Sequence, residues 1–297
     1  MPDTHVKNLV NEYNERRARL VEHSCWQKLM EPFDPSFDKF VTAANEFNPE
    51  DDTNSAWLEL ARCFSKNVRF DHFPTALAQA ANAVGEMLVT IYEEELDNVF
   101  KPPSLGAYRQ RFALGADMKA NQASRIAAII REHFVVAIER SRDIEMRRTW
   151  LSTRFAGFEE TLRDSGTDIG NLAHNFGVGA LAVTHPLIGI PALVANLKKD
   201  SERSKAAGAF IEEYQGKLKE YSTAIEELTS EIVDAANRSG GYASAKFRES
   251  VADGIAHILS ELERCGLPTG HYHDNLAASM VDIEKLELQY FGEDNDA

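Results

Sequence analysis

The chain has 297 residues, 43% of them hydrophobic, which is enough for a packed core and excludes a disordered protein. Its formal net charge of −15 excludes a general nucleic-acid binder, because phosphate binding needs a basic surface. Three widely spaced cysteines (Cys25, Cys63, Cys265), with no paired spacing, exclude a disulfide framework and a cysteine-based metal site.

The first stretch, residues 4–30, is charged and amphipathic. It predicts a helix ended by the proline-bearing PFDPSFD. It has no apolar core of the kind a secretory signal needs, so the expectation is synthesis in the cytoplasm and, for any export, a route that does not use a signal peptide. A looser helical region follows at 36–47, and NPEDDTNS reads as a turn with a new helix cap. Residues 75–100 predict a helix with Leu77, Val84, Leu88 and Ile91 inward, stopped by KPPS.

No proline occurs between Ser104 and Gly166, so the sequence allows one helix of roughly 60 residues, on the order of 90 Å long, with Gly106 and Gly115 as breaks near its beginning. Two seams run along it. One is Ala123, Ile130, Ala137, Ile144, Leu151 and Phe158; the other is Ala127, Phe134, Ser141, Arg148, Phe155 and Leu162. The Ser141/Arg148 interruption predicts local exposure or a polar partner. Ten Lys/Arg residues against five acids lie between Arg109 and Arg154. The ordinary reading is arginines paired with acidic neighbouring helices; the other is a face for anionic lipid or an acidic partner.

From Ile169 to Leu197 the sequence IGNLAHNFGVGALAVTHPLIGIPALVANL runs for 29 residues with no Asp, Glu, Lys or Arg, in a chain that is 27% charged. It is long enough for one membrane-spanning helix, but Pro186 and Pro191 sit inside it, and Gly177, Gly179 and Gly189 weaken a helix further. THP at 184–186 divides it into two halves, each too short to cross a bilayer as a helix. An open two-stranded hairpin leaves unpaired backbone in lipid, so a helical hairpin is the form expected there. A buried plug in the core of a bundle is the competing expectation. His174 and His185 keep the segment polar at two points and titrate near neutrality.

Beyond it, Ile211, Tyr214, Leu218, Tyr221, Ile225, Leu228, Ile232 and Ala235 repeat at 3-4 spacing, a heptad pattern that predicts left-handed packing on a partner helix. RSGGY at 238–242 reads as a break. A helix over 243–264 buries Phe247, Val251, Ile255, Ile258, Leu259 and Leu262; GLPTGHYHDN reads as a loop; 275–291 is the last helix. In that loop His271, His273 and Asp274 form the best metal candidate, without an evident third ligand nearby. No zinc-peptidase pair, di-iron pair, phosphate loop or nucleophile elbow occurs, and Cys63 and Cys265 read as core thiols. The expectation is a non-enzyme with no catalytic residue, no metal and no cofactor.

The predicted fold is all-α: an elongated bundle of long helices over 1–168 and 198–297, with 169–197 as a small apolar tongue, a hairpin or short helices, between two central helices. This layout resembles the cytolysin A-type α-helical pore-forming toxins, including the components of tripartite haemolysins. The likeness rests on GVGALAVTHPLIGIPALVANLKK as the tongue, with LKK leading into the heptad helix, and it spans about residues 105–265. The resemblance implies a protein that refolds its tongue into a target lipid membrane and oligomerises with itself or with related subunits. Phe176, Val178, Leu181, Val183, Leu187, Ile188, Ile190, Leu193 and Val194 would enter the membrane. Gly177, Gly179, Pro186, Gly189 and Pro191 would permit the turn. The alternative is a membrane-surface scaffold of the BAR type, using the arginine-rich face, with 169–197 as a core plug.

Overall fold

The computed structural model describes residues 2–31, 72–101, 115–164 and 201–292. Among them the chain is all-α, with six helices and no strand: α1 Pro2–Met30, α2 Phe73–Val99, α3 Ala116–His133, α4 Val135–Asp164, α5 Ser201–Arg264 and α6 Gly270–Phe291. The chain divides into two compact units. One comprises Met1–Pro32, Ala76–His133 and Asp234–Ala297; the other comprises Phe33–Thr75 and Phe134–Val233.

In the first unit α1 packs on α6. Tyr13, Ala18, Leu20, Val21, Cys25 and Leu29 of α1 are buried, and the Ser244 hydroxyl of α5 donates to the Ala18 carbonyl at 3.0 Å. On α2, Leu77, Val84 and Leu88 are buried as the periodicity predicts, while Ile91 is only half-buried. The close approach of α2 to α3 depends on Gly85. A Cβ there would lie 2.4 Å from the Ala123 carbonyl oxygen, so only a bare α-carbon fits. At the end of α2 the Asn275 side chain of α6 donates to the Val99 carbonyl at 3.1 Å, satisfying one of the carbonyls a helix end leaves open.

Four sequence expectations need correction. The single long helix over 104–166 is divided at Phe134, between α3 and α4. Phe134 is fully buried, and the His133 carbonyl accepts from the Arg238 guanidinium at 3.3 Å. RSGGY is not a break, because α5 runs through it. Ser239 and Gly240 are buried there, and a Cβ at Gly240 would lie 3.4 Å from Glu22. The packing of α1 against this small-residue surface outweighs a propensity cost of about 1 kcal/mol per glycine. The loop before α6 is only Cys265–Thr269. Gly266, at φ +69°, terminates α5, with the Leu267 amide returning to the Leu262 carbonyl at 3.0 Å, and the helix restarts at Gly270. Cys265 is exposed, so only Cys25 is a core thiol among the described cysteines.

In the second unit the buried side chains reproduce the predicted seams. Phe134 just before α4 and Ala137, Ile144 and Leu151 on it are buried, as are Tyr221, Ile225, Leu228 and Ile232 of α5. Of the two outcomes expected at Ser141, local exposure or a polar partner, exposure is not found: Ser141 is buried, and its hydroxyl donates to the Ile138 carbonyl at 2.7 Å, a polar partner within its own helix. Arg148 is half-buried and bonded to Glu145 at 2.6 Å. The side chains of Phe155, Phe158, Leu162, Ile211, Tyr214 and Leu218 lie outside the described residues.

Candidate functional site

Positions seven apart lie on one face of a coiled-coil helix. In the second unit Arg140, Arg147 and Arg154 fall at this spacing on α4, and Glu227, Glu220 and Glu213 at the same spacing on α5. Arg140 bonds Glu227, with Glu231 at 3.7 Å; Arg147 reaches Glu220 at 3.3 Å; Arg154 reaches Glu213 at 3.1 Å. Each step of seven up α4 is answered by a step of seven down α5. The two helices are therefore antiparallel and hold a fixed register over three rungs. The pairs are solvent-exposed, so each contributes at most about 1 kcal/mol. The buried seam supplies most of the cohesion, and the rungs fix the alignment. Four of the arginines that sequence reading assigned to a basic face are thereby occupied: Arg140, Arg147 and Arg154 across the pair, and Arg148 within α4.

Every residue expected to meet lipid (Phe176, Val178, Leu181, Val183, Leu187, Ile188, Ile190, Leu193 and Val194) lies outside the described residues. So do the turn positions Gly177, Gly179, Pro186, Gly189 and Pro191, and also His174, His185 and Cys63. Among the described residues no helix is long and apolar enough to cross a membrane.

The histidine-rich candidate does not assemble. His271, His273 and Asp274 lie on α6, where positions two apart point to nearly opposite sides. No cluster of three metal-ligating side chains occurs among the described residues.

The first unit contains a polar cluster that sequence reading missed. Tyr13 and Asn14 of α1 are fully buried, and Glu95 of α2 is buried. The Tyr13 hydroxyl donates to Glu95 Oε2, and Arg17 Nη2 lies 2.8 Å from Glu95 Oε1. The set is incompletely satisfied: Asn14 Nδ2 and Oδ1 and Arg17 Nε find no hydrogen-bond partner among the described residues. Burial pushes the Glu95 carboxyl up to about 7. Burial also lowers Arg17, against the raising influence of Glu94 and Tyr290. The signal that would have found this cluster is helical spacing. Tyr13 and Arg17 are four apart on the face of α1 that also carries the buried Leu20.

A second polar contact in this unit joins His133 at the end of α3 to α5. Its Nδ1 is 3.1 Å from the buried Ser239 hydroxyl, and its ring meets Tyr242 edge-on at 5.8 Å. Burial lowers the His133 pKa, the Arg238 charge lowers it further, and Glu132 opposes both.

No family model, curated protein or solved structure matches this chain.

Proposed function

We propose that the chain is a membrane-inserting, α-helical pore-forming protein, or one component of such an assembly, that acts through its uncharged segment and oligomerises on lipid. The observation that carries this reading is the register of α4 on α5. The rungs run inward from Arg140/Glu227 to Arg154/Glu213. The same count, continued along the sequence, centres between Val183 and Thr184, the middle of the 29 uncharged residues. An antiparallel pair brings the last turn of one helix and the first turn of the other to one end, and 165–200 is the chain that joins them. A run of 29 residues without Asp, Glu, Lys or Arg, set between two charged helices, has the composition of an interaction or membrane site. The Gly and Pro positions within it favour a segment that changes conformation over a fixed helix.

The occupied arginines count against the surface-scaffold alternative, which needs the basic residues of 109–154 turned to anionic headgroups. Dye release from liposomes tests the proposal, with wild type beside a variant carrying Val183→Asp and Ile188→Asp. Release by the wild type, abolished in the variant with helical circular dichroism unchanged, is the expected result. A wild type that neither binds nor leaks vesicles, at neutral or low pH, removes membrane insertion by this chain alone. An equal loss of helicity in the variant identifies 169–197 as a core plug.

A further inference from the structure

Between α2, α3 and α5 the first unit carries an open groove of about 340 Å³. Its floor is apolar: Leu88, Val89 and Phe247 are buried there, and Ile126 is half-buried. Its rim is polar, and two of the rim groups are held close together. Gly254 sits in the interior of α5, where glycine weakens a helix. A Cβ there would lie 2.7 Å from the Tyr92 hydroxyl, so the missing side chain leaves room for the phenol against the helix. Asp253 is the neighbouring residue, and its charge acts on Tyr92. Neither group is satisfied. The Tyr92 hydroxyl has no hydrogen-bond partner among the described residues, and Asp253 makes no hydrogen bond or ion pair among them.

We propose that this groove binds a small organic amine: Asp253 and the Tyr92 hydroxyl accept from its ammonium group, and the floor takes its apolar body. This inference does not rest on the membrane reading. The charges around the groove select the sign of the ligand. Lys246 on the rim is bonded to Glu249 at 2.8 Å, and Glu93, which also acts on Tyr92, is bonded to Lys119 at 2.6 Å. With these pairs closed, the Asp253 carboxylate is the charge left unanswered, and the chain's net charge of −15 adds a field of the same sign. His257, one turn beyond Asp253 on α5, is the remaining titratable group of the lining. An anionic ligand would meet Asp253 as a like charge, and a neutral one would leave it unpaired. A metal ion needs several ligands, and no group of three metal-ligating side chains occurs among the described residues. The body of the ligand follows from the floor. Tyr92 and Phe247 both line the groove, and aromatic rings suit a cation or a second ring. The volume lies at the lower end of small-molecule sites, about 300–1,000 Å³, and suits a ligand of one or two rings.

Isothermal titration calorimetry on the full-length protein, at about pH 8, compares tryptamine with indole-3-propionate. The two share a ring and carry opposite charges at the end of the chain. Tryptamine should bind about tenfold more tightly. Asp253→Asn should bring the two within about twofold, with helical circular dichroism unchanged, and Tyr92→Phe should weaken tryptamine about threefold. Indole-3-propionate binding as tightly as tryptamine overturns the proposal, as does the absence of tryptamine binding up to about 5 mM. A preference that survives Asp253→Asn, or wild-type affinity in Tyr92→Phe, places the amine elsewhere and overturns it as well. Should Asp253→Asn lose helicity, Gln122→Arg decides. Gln122 is exposed on the α3 wall of the groove, and a guanidinium there should weaken tryptamine and strengthen indole-3-propionate. Unchanged affinities in that variant reject the site.

Discussion

In the unit built on Phe134–Val233 the charged pairs between helices lie at the surface and repeat every seven residues, above a seam of Ile144, Leu151, Tyr221 and Leu228. In the other unit Glu95 is only 5% exposed, and it meets Arg17 and Tyr13 in the middle of the helix contact. The same residue types thus have different physical consequences. Exposed pairs set alignment and contribute little energy, so their loss is tolerated. A buried, incompletely satisfied group makes the helix it holds responsive to pH.

The largest effect that separates the two units is expected in the seam. Ile144→Ala removes a fully buried side chain and should destabilise the second unit by about 2–5 kcal/mol. Hydrogen exchange should show faster opening of α4 amides with little change in α1 and α6. Equal acceleration in both units would break the division between them. Next is Gly85→Ala. It sets a methyl group against the Ala123 carbonyl and should cost the first unit about 1–3 kcal/mol, read as a lower denaturation midpoint for α2 and α3 amides.

The pH response of the first unit comes third, and two groups pull against each other. The Glu95 contribution is greatest below about 4.5 and falls as pH rises to 7, by on the order of 2–3 kcal/mol; Glu95→Gln should flatten that slope. His133, lowered in the folded protein, acts in reverse. Its contribution is present above its ordinary 6.5 and is lost as pH falls below it, so His133→Asn should reduce the loss of stability on the acid side. Guanidinium titrations at pH 5, 6, 7 and 8 separate the two.

The smallest effect belongs to the rungs. Glu220→Ala should cost under about 1 kcal/mol, and less in high salt. Reversing the pair, Arg147→Glu with Glu220→Arg, should be milder than either single reversal; if both singles and the double behave alike, the register assigned to α4 and α5 is wrong.

Much of this was legible in the sequence, and the boundary is physical. The seams at Ala123, Ile130, Ala137, Ile144 and Leu151 and at Tyr221, Ile225, Leu228, Ile232 and Ala235 are side chains whose burial repeats with the helix, and all are buried. The continuity of α5 through Ser239, Gly240 and Gly241 was not legible. Small residues carry almost no hydrophobic signal, yet they are what a close helix approach requires. Glu95 was missed, and Ser141 was left open between exposure and a polar partner, for a related reason. A polar residue is assigned to the surface unless its partner is known, and the partners here are a carbonyl three residues back and a tyrosine 82 residues away. The arginine pairing was anticipated in kind, but the register needed the coordinates. No local pattern tells Arg147 that Glu220, not Glu213 or Glu227, lies opposite.

That register also restricts how the hairpin can change in length. Inserting or deleting one residue in α4 alone would rotate every later side chain by about 100° and shift each arginine beyond that point away from its glutamate. A matched loss of seven residues from each helix would restore both the seam and the rungs. Natural variants of this arm, or engineered ones, are thus expected to differ by whole heptads taken in pairs, and the arm can be shortened or extended only in these quantised steps.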